Sequence, residues 1–199
     1  MSTNVPRNHM TVTPTPIATI PLVLIDARAI PGTKETEQAA IFLALTLEVN
    51  FWRGGLNSSV SLTSLDYKNY TEKLLSYLEP VLLSSKRSRF VRCWHAKTDG
   101  WAASTFHSNC NGRGPTVTII KAVNSMFGGY TDVSWSGSCV WSYAIKAFLF
   151  SFNNTKGYNP VKLTQYRYQQ YAMYRCSFYG PTFGRGHDIH VSNDAGINQ

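Results

Sequence analysis

A β-rich α+β domain is the fold predicted by three observations. The run TVTIIKA at 116–122 is dense in β-branched residues, which favour strands. IKAFLFSF at 145–152 sets Phe148, Phe150 and Phe152 two apart, on one face of a strand. Aromatic residues make up 13% of the chain, mostly Tyr and Phe, and such rings suit a packed sheet interior. One clear helix accompanies these strands, at Leu65–Leu78, where Tyr67, Tyr70, Leu74 and Leu78 recur at spacings of three and four.

In chain order, residues 1–35 read as disordered, because Pro6, Pro14, Pro16, Pro21 and Pro31 interrupt any regular element. Residues 36–50 hold good helix formers without a clean stripe. The Gly/Ser-rich stretch 53–63 reads as a linker and puts a domain boundary near Ser61. The organisation expected is therefore a weakly structured extension over 1–60 and one domain over 61–199. Ser64 is placed to cap the helix, Asp66 suits its dipole, and Pro80 ends it.

FVRCWHA at 90–96 reads as a strand. Strict alternation puts Phe90, Arg92 and Trp94 on one face and Val91, Cys93 and His95 on the other. Asp99-Gly100 marks a turn, and WAASTFHSNC a short helix with Asp99 near its start and Ala102, Phe106 and Cys110 on its buried side. Asn111–Pro115 cannot stay helical. Met126–Thr131 is expected to be a strand whose Gly128-Gly129 marks a bulge or a close backbone approach. Residues 132–142 are expected to form a loop, 161–178 one or two strands, 180–186 a glycine loop, and His187–Val191 a last short strand.

The net charge is +8. Its densest cluster is Lys86, Arg87, Arg89, Arg92 and Lys97, a patch suited to nucleic acid, anionic lipid or an acidic protein face. Nucleic acid is disfavoured because no nucleic-acid module motif accompanies the patch. Cys93, Cys110, Cys139 and Cys176 form no CxxC and match no zinc spacing, so free thiols in a reducing compartment are expected, with a single bridge as the alternative. No secretory signal and no apolar run long enough to span a bilayer is seen, which points to an intracellular, cytoplasmic setting. The sequons at Asn57, Asn69 and Asn153 then read as chance matches.

The ordered blocks DGWAASTFHSNCNGRGPTVTIIKA, FGGYTDVSW, AFLFSF and YGPTFGRGHDIHVSND resemble the TLDc domain, most closely its cnidarian and protist forms. The resemblance runs from Leu65 to the C-terminus. It implies a β-sandwich of two antiparallel sheets with flanking helices and a module linked to oxidative-stress protection. In several members the domain binds the vacuolar proton pump, and no agreed reaction comes with it. The family pattern continues past the GHDI block into a final strand, whereas this sequence stops at Gln199. A C-terminally truncated domain is thus expected. Either residues 1–60 supply a substitute strand, with Val49–Trp52 and Val60–Leu62 as candidates, or the fold is incomplete, or the chain is a fragment.

Candidate chemistry is thin. Ser104, His107 and Asp99 could form a nucleophile, base and orienter, but a Ser on a short helix has no strained elbow and no evident oxyanion hole. His187 and Asp188 are adjacent, and neighbours on a strand point apart. His107 and Cys110 have helical ligand spacing, yet two ligands make no metal site. Gly112-Arg113-Gly114 precedes a strand and lacks the Lys of a phosphate loop. No cofactor is expected.

The first reading is therefore a non-catalytic protein-interaction module, its contact surface formed by Lys86, Arg87, Arg89 and Arg92 with Trp135 and Trp141. The alternatives are an uncharacterised hydrolase using Ser104, His107 or His187, and a binder of anionic surfaces or nucleic acid through the basic patch.

Overall fold

The computed structural model describes residues 18–27, 65–82, 88–122, 125–153 and 156–196. The helix expected at 36–50, the linker and boundary at 53–63, the Ser64 cap and both candidate substitute strands lie outside the described residues.

Among the described residues, ten strands form two sheets. The larger runs β2 (Ser88–His95), β1 (Ala18–Ala27), β3 (Thr116–Ala122), β4 (Ser125–Thr131), β6 (Phe148–Asn153) and β7 (Val161–Thr164) in spatial order. The smaller runs β10 (Ile189–Ser192), β9 (Tyr179–Phe183), β8 (Met173–Cys176) and β5 (Ser138–Ser142). Helix α1 (Leu65–Leu78) forms where the three-and-four stripe predicts it. A one-turn α2 (Ala96–Asp99) and a two-turn α3 (Ala103–Cys110) follow β2. The α+β two-sheet class read from the sequence is the class observed.

Every pairing is antiparallel except the two made by β1, which runs parallel to both β2 and β3. Residues 18–27 thus leave the extension read as disordered and become a central strand. The segment PLVLI is a continuous apolar run, as strands covered on both faces require. Ile20 joins one core and Val23 the other. Pro21 is tolerated because it pairs only with Val91 of β2; the ladder with β3 begins at the next residue, Leu22 opposite Val117.

The two cores lie on opposite faces of the large sheet. On one, Leu74 and Leu78 of α1 meet Phe90, Val117, Ile119, Phe148, Phe150 and Phe152, with Tyr70 stacked on Phe152 at 5.5 Å between ring centres. Each fully buried Leu or Phe of this kind contributes about 1.5–3 kcal/mol. On the other face, α3 and the small sheet enclose Trp94, Phe106, Trp135 and Phe183, linked ring to ring at 5.3–5.5 Å. The Trp135 indole N–H donates to Thr116 Oγ1 at 2.8 Å, which satisfies the one polar atom of a fully buried ring.

Three local expectations are corrected. Strict alternation would place Trp94 with Phe90. Instead Leu22 pairs with Arg92 and Val23 with Trp94, so Cys93 is an extra residue in the strand. This bulge turns Trp94 to the opposite core. The expected loop 132–142 contains β5, and the expected loop 180–186 contains most of β9, with the turn confined to Gly184–His187. Gly128-Gly129 marks a close approach, as expected. A side chain at Gly128 would overlap the Thr118 carbonyl of β3, and one at Gly129 would press on the Phe183 ring of the facing sheet.

Candidate interaction surface

β10 alternates buried and exposed residues, and on β8 half-buried Tyr174 follows buried Met173. Met173, Ile189 and Val191 point into the sandwich, which leaves Tyr174 and His190 on the outer face of the small sheet. Trp141 lies opposite Tyr174 on the neighbouring strand, with ring centres 4.8 Å apart. From there the rings form a continuous strip. Trp141 meets Tyr171 at 5.6 Å, and Tyr171 meets Tyr168 at 6.5 Å. Tyr174 meets His187 at 6.1 Å and Tyr179 at 6.4 Å. His187 stacks on His190 at 4.9 Å with planes 11° apart, and His190 meets the Tyr179 edge at 4.7 Å.

This strip lies at the surface. His187, His190 and Tyr168 are exposed, while Trp141, Tyr171, Tyr174 and Tyr179 are half-buried. The Arg185 guanidinium sits 4.9 Å from the Tyr171 ring centre, within cation–π range. Burial, then the adjacent His187, holds the His190 imidazole below its ordinary value. The Thr182 hydroxyl donates its one hydrogen to the Gly180 carbonyl, so at 3.1 Å His190 Nδ1 is the donor to Thr182 Oγ1.

The hydrolase candidates are not brought together. Ser104 is exposed on α3 while His107 is buried. His107 Nε2 lies 2.9 Å from both the Cys176 and Tyr179 carbonyls, which can only accept, so this nitrogen carries hydrogen. Its Nδ1 is engaged by the Asn111 side chain at 2.8 Å. His107 thereby fastens α3 to the β8–β9 turn. Asp99 does not cap α3; its Oδ2 accepts the His95 backbone N–H at 2.8 Å, and its Oδ1 is 3.7 Å from Arg92. The α3 cap comes from far along the chain, where Asn193 Oδ1 accepts the Ala103 N–H at 2.8 Å. His187 sits in a turn at φ 56°, not on a strand, and Asp188 is exposed. Among the described residues no three His, Cys, Asp or Glu side chains group as metal ligands.

The expected binding residues divide. Lys86 and Arg87 lie outside the described residues. Arg89 is on β2, and Arg92 is exposed. Trp135 is 1% exposed and belongs to the core, which removes it from any contact surface. Trp141 belongs to the strip. Sequence reasoning missed Tyr174, Tyr179 and His190, whose shared face depends on strand positions; the one signal available was the tyrosine density of YRYQQYAMYRCSFY.

The cysteines also differ from expectation. Cys93 is bonded to Cys110 and Cys139 to Cys176, and no free thiol remains. Four spaced cysteines carry no connectivity in the sequence. Cys93 falls on the β2 face opposite Phe90, where α3 packs, and the β5–β8 ladder sets Cys139 beside Cys176. No helix among the described residues is long and apolar enough to cross a membrane.

The sequence model of the TLDc domain matches residues 65–199, about two thirds of the chain. No curated protein matches it.

Proposed function

The chain belongs to the TLDc domain family, and we propose that it is a non-catalytic module that binds a protein partner through the outer face of its small sheet. The observation that supports this reading is the continuous ring strip from Tyr168 through Trp141, Tyr174 and His187 to His190 and Tyr179. Aromatic side chains and Arg are the residues on which interface energy concentrates. Arg185 beside the strip and the net charge of +8 favour a partner face carrying carboxylates.

Against catalysis stands His107, whose two nitrogens already serve the fold and leave no acceptor aimed at a substrate. By family likeness the partner is the vacuolar proton pump, in an intracellular setting of oxidative stress.

The test is binding to purified pump by wild type and by a Trp141→Ser, Tyr174→Ser double variant. The expected result is at least a tenfold loss of affinity, with the thermal midpoint of the double variant measured alongside to show that it is folded. Absence of wild-type binding overturns the partner; equal binding by the double variant overturns the surface.

A further inference from the structure

The family match begins at residue 65, yet the large sheet is not continuous without residues 18–27. β1 pairs with β2 from Ala18 to Leu24 and with β3 from Leu22 to Ala27, and β2 and β3 do not pair with each other. Removing it would leave two rows of backbone N–H and C=O groups facing an open slot, together with the apolar floor on which Ile20 (2% exposed) and Val23 (0%) rest. Such a slot is a site for β-strand addition, in which main-chain hydrogen bonds supply affinity and side-chain pockets supply register.

The slot is selective. It requires a parallel strand that is apolar on both faces, because Ile20 enters the α1 core and Val23 enters the core of α3 and the small sheet. It tolerates a residue without an N–H only before the β3 ladder begins, where Pro21 lies. Residues 28–64 join β1 to α1.

We infer that the cleft between β2 and β3 is a strand-binding site whose ligand is the 18–27 segment, and that a second copy of this chain can supply the segment in trans. Tethering gives a chain's own strand an effective concentration of the order of millimolar. The internal strand therefore holds the site at ordinary concentrations, and exchange between copies follows when that strand is weakened.

The test uses the full chain carrying Val23→Asp, which places an unpaired charge at a fully buried position. Wild type and variant are refolded with a fluorescent synthetic peptide of residues 16–29 at tens of micromolar. The variant is expected to melt well below wild type, to capture at least tenfold more peptide, and to regain its thermal midpoint on capture. A peptide bearing the same substitution should do none of this. If the variant aggregates alone, recovery of a soluble one-to-one complex on co-refolding supports the site, and aggregation with and without peptide overturns it. A variant that melts like wild type, or that captures no more peptide than wild type, also overturns it.

Discussion

His107 Nε2 reaches the carbonyl oxygen of Cys176, 69 residues further along the chain, at 2.9 Å. The same nitrogen reaches the Tyr179 carbonyl, so one ring satisfies the acceptors of a turn whose flanks carry the aromatic strip. His107→Phe would take this donor from both carbonyls. At about 1–3 kcal/mol for each buried group that loses its bond, the expected loss is about 2–6 kcal/mol of unfolding free energy, read from urea midpoints. His107→Gln keeps an N–H donor and should recover part of that loss. A catalytic role would instead make the two variants equally inactive at unchanged stability.

Gly128 and Gly112 separate two reasons for glycine. At Gly128 a methyl group would overlap the Thr118 carbonyl of the next strand and the Phe150 ring. Gly128→Ala should therefore cost about 3 kcal/mol, the upper end for overpacking. Gly112 has open space around it and φ +71°. Its replacement by Ala costs only the left-handed backbone penalty of about 1 kcal/mol. Thermal melts of the two variants should differ by several degrees; equal melts would show that β3 and β4 can part without cost.

Local patterns made α1, β3, β4 and β6 legible, because each holds its periodicity within one segment. Readings failed where a distant residue decides the outcome. Pro21 hides a strand unless the register with β3 is known, since the missing N–H falls before the β3 ladder begins. One inserted residue, Cys93, moves Trp94 to the other core, and alternation counted from Phe90 cannot register it. GPTF looks like a loop by composition, yet Gly180 sits against Val191 of β10, a contact 11 residues away. The strip was illegible for the same reason: Trp141, Tyr174, Tyr179 and His190 come from four strands. Trp135 gave no sign that it was buried, because its hydrogen-bond partner, Thr116, lies 19 residues away on β3.

The two disulfides fix different junctions. Cys93–Cys110 ties the β2 bulge to α3 across 17 residues, and Cys139–Cys176 ties β5 to β8 across 37. Alkylation of the denatured, unreduced protein should add no label; after reduction it should add four. Closing loops of these sizes is worth about 3 and about 4 kcal/mol in the chain-entropy account. Cys93→Ser with Cys110→Ser should lower stability without loosening the strip. Cys139→Ser with Cys176→Ser should also weaken partner binding, because β5 and β8 carry Trp141 and Tyr174. Labelling of all four thiols before reduction would refute both pairings.

Acid should loosen the strip through His190. Burial and the stacked His187 hold its imidazole below the ordinary value of about 6.5. Through that window the folded chain binds fewer protons than the unfolded chain. Stability is therefore full above the ordinary value and falls as pH drops toward the depressed one. The groups facing the ring offer it no countercharge: Tyr179 is a neutral ring, Thr182 Oγ1 already accepts from Nδ1, and His187 becomes a like charge when protonated. His190→Gln removes both the titration and the repulsion. Thermal midpoints from pH 8 to pH 5 should fall more steeply for wild type than for this variant, with the two curves parallel above pH 7. Parallel curves over the whole range would mean that His190 titrates as freely in the folded chain as in the unfolded one.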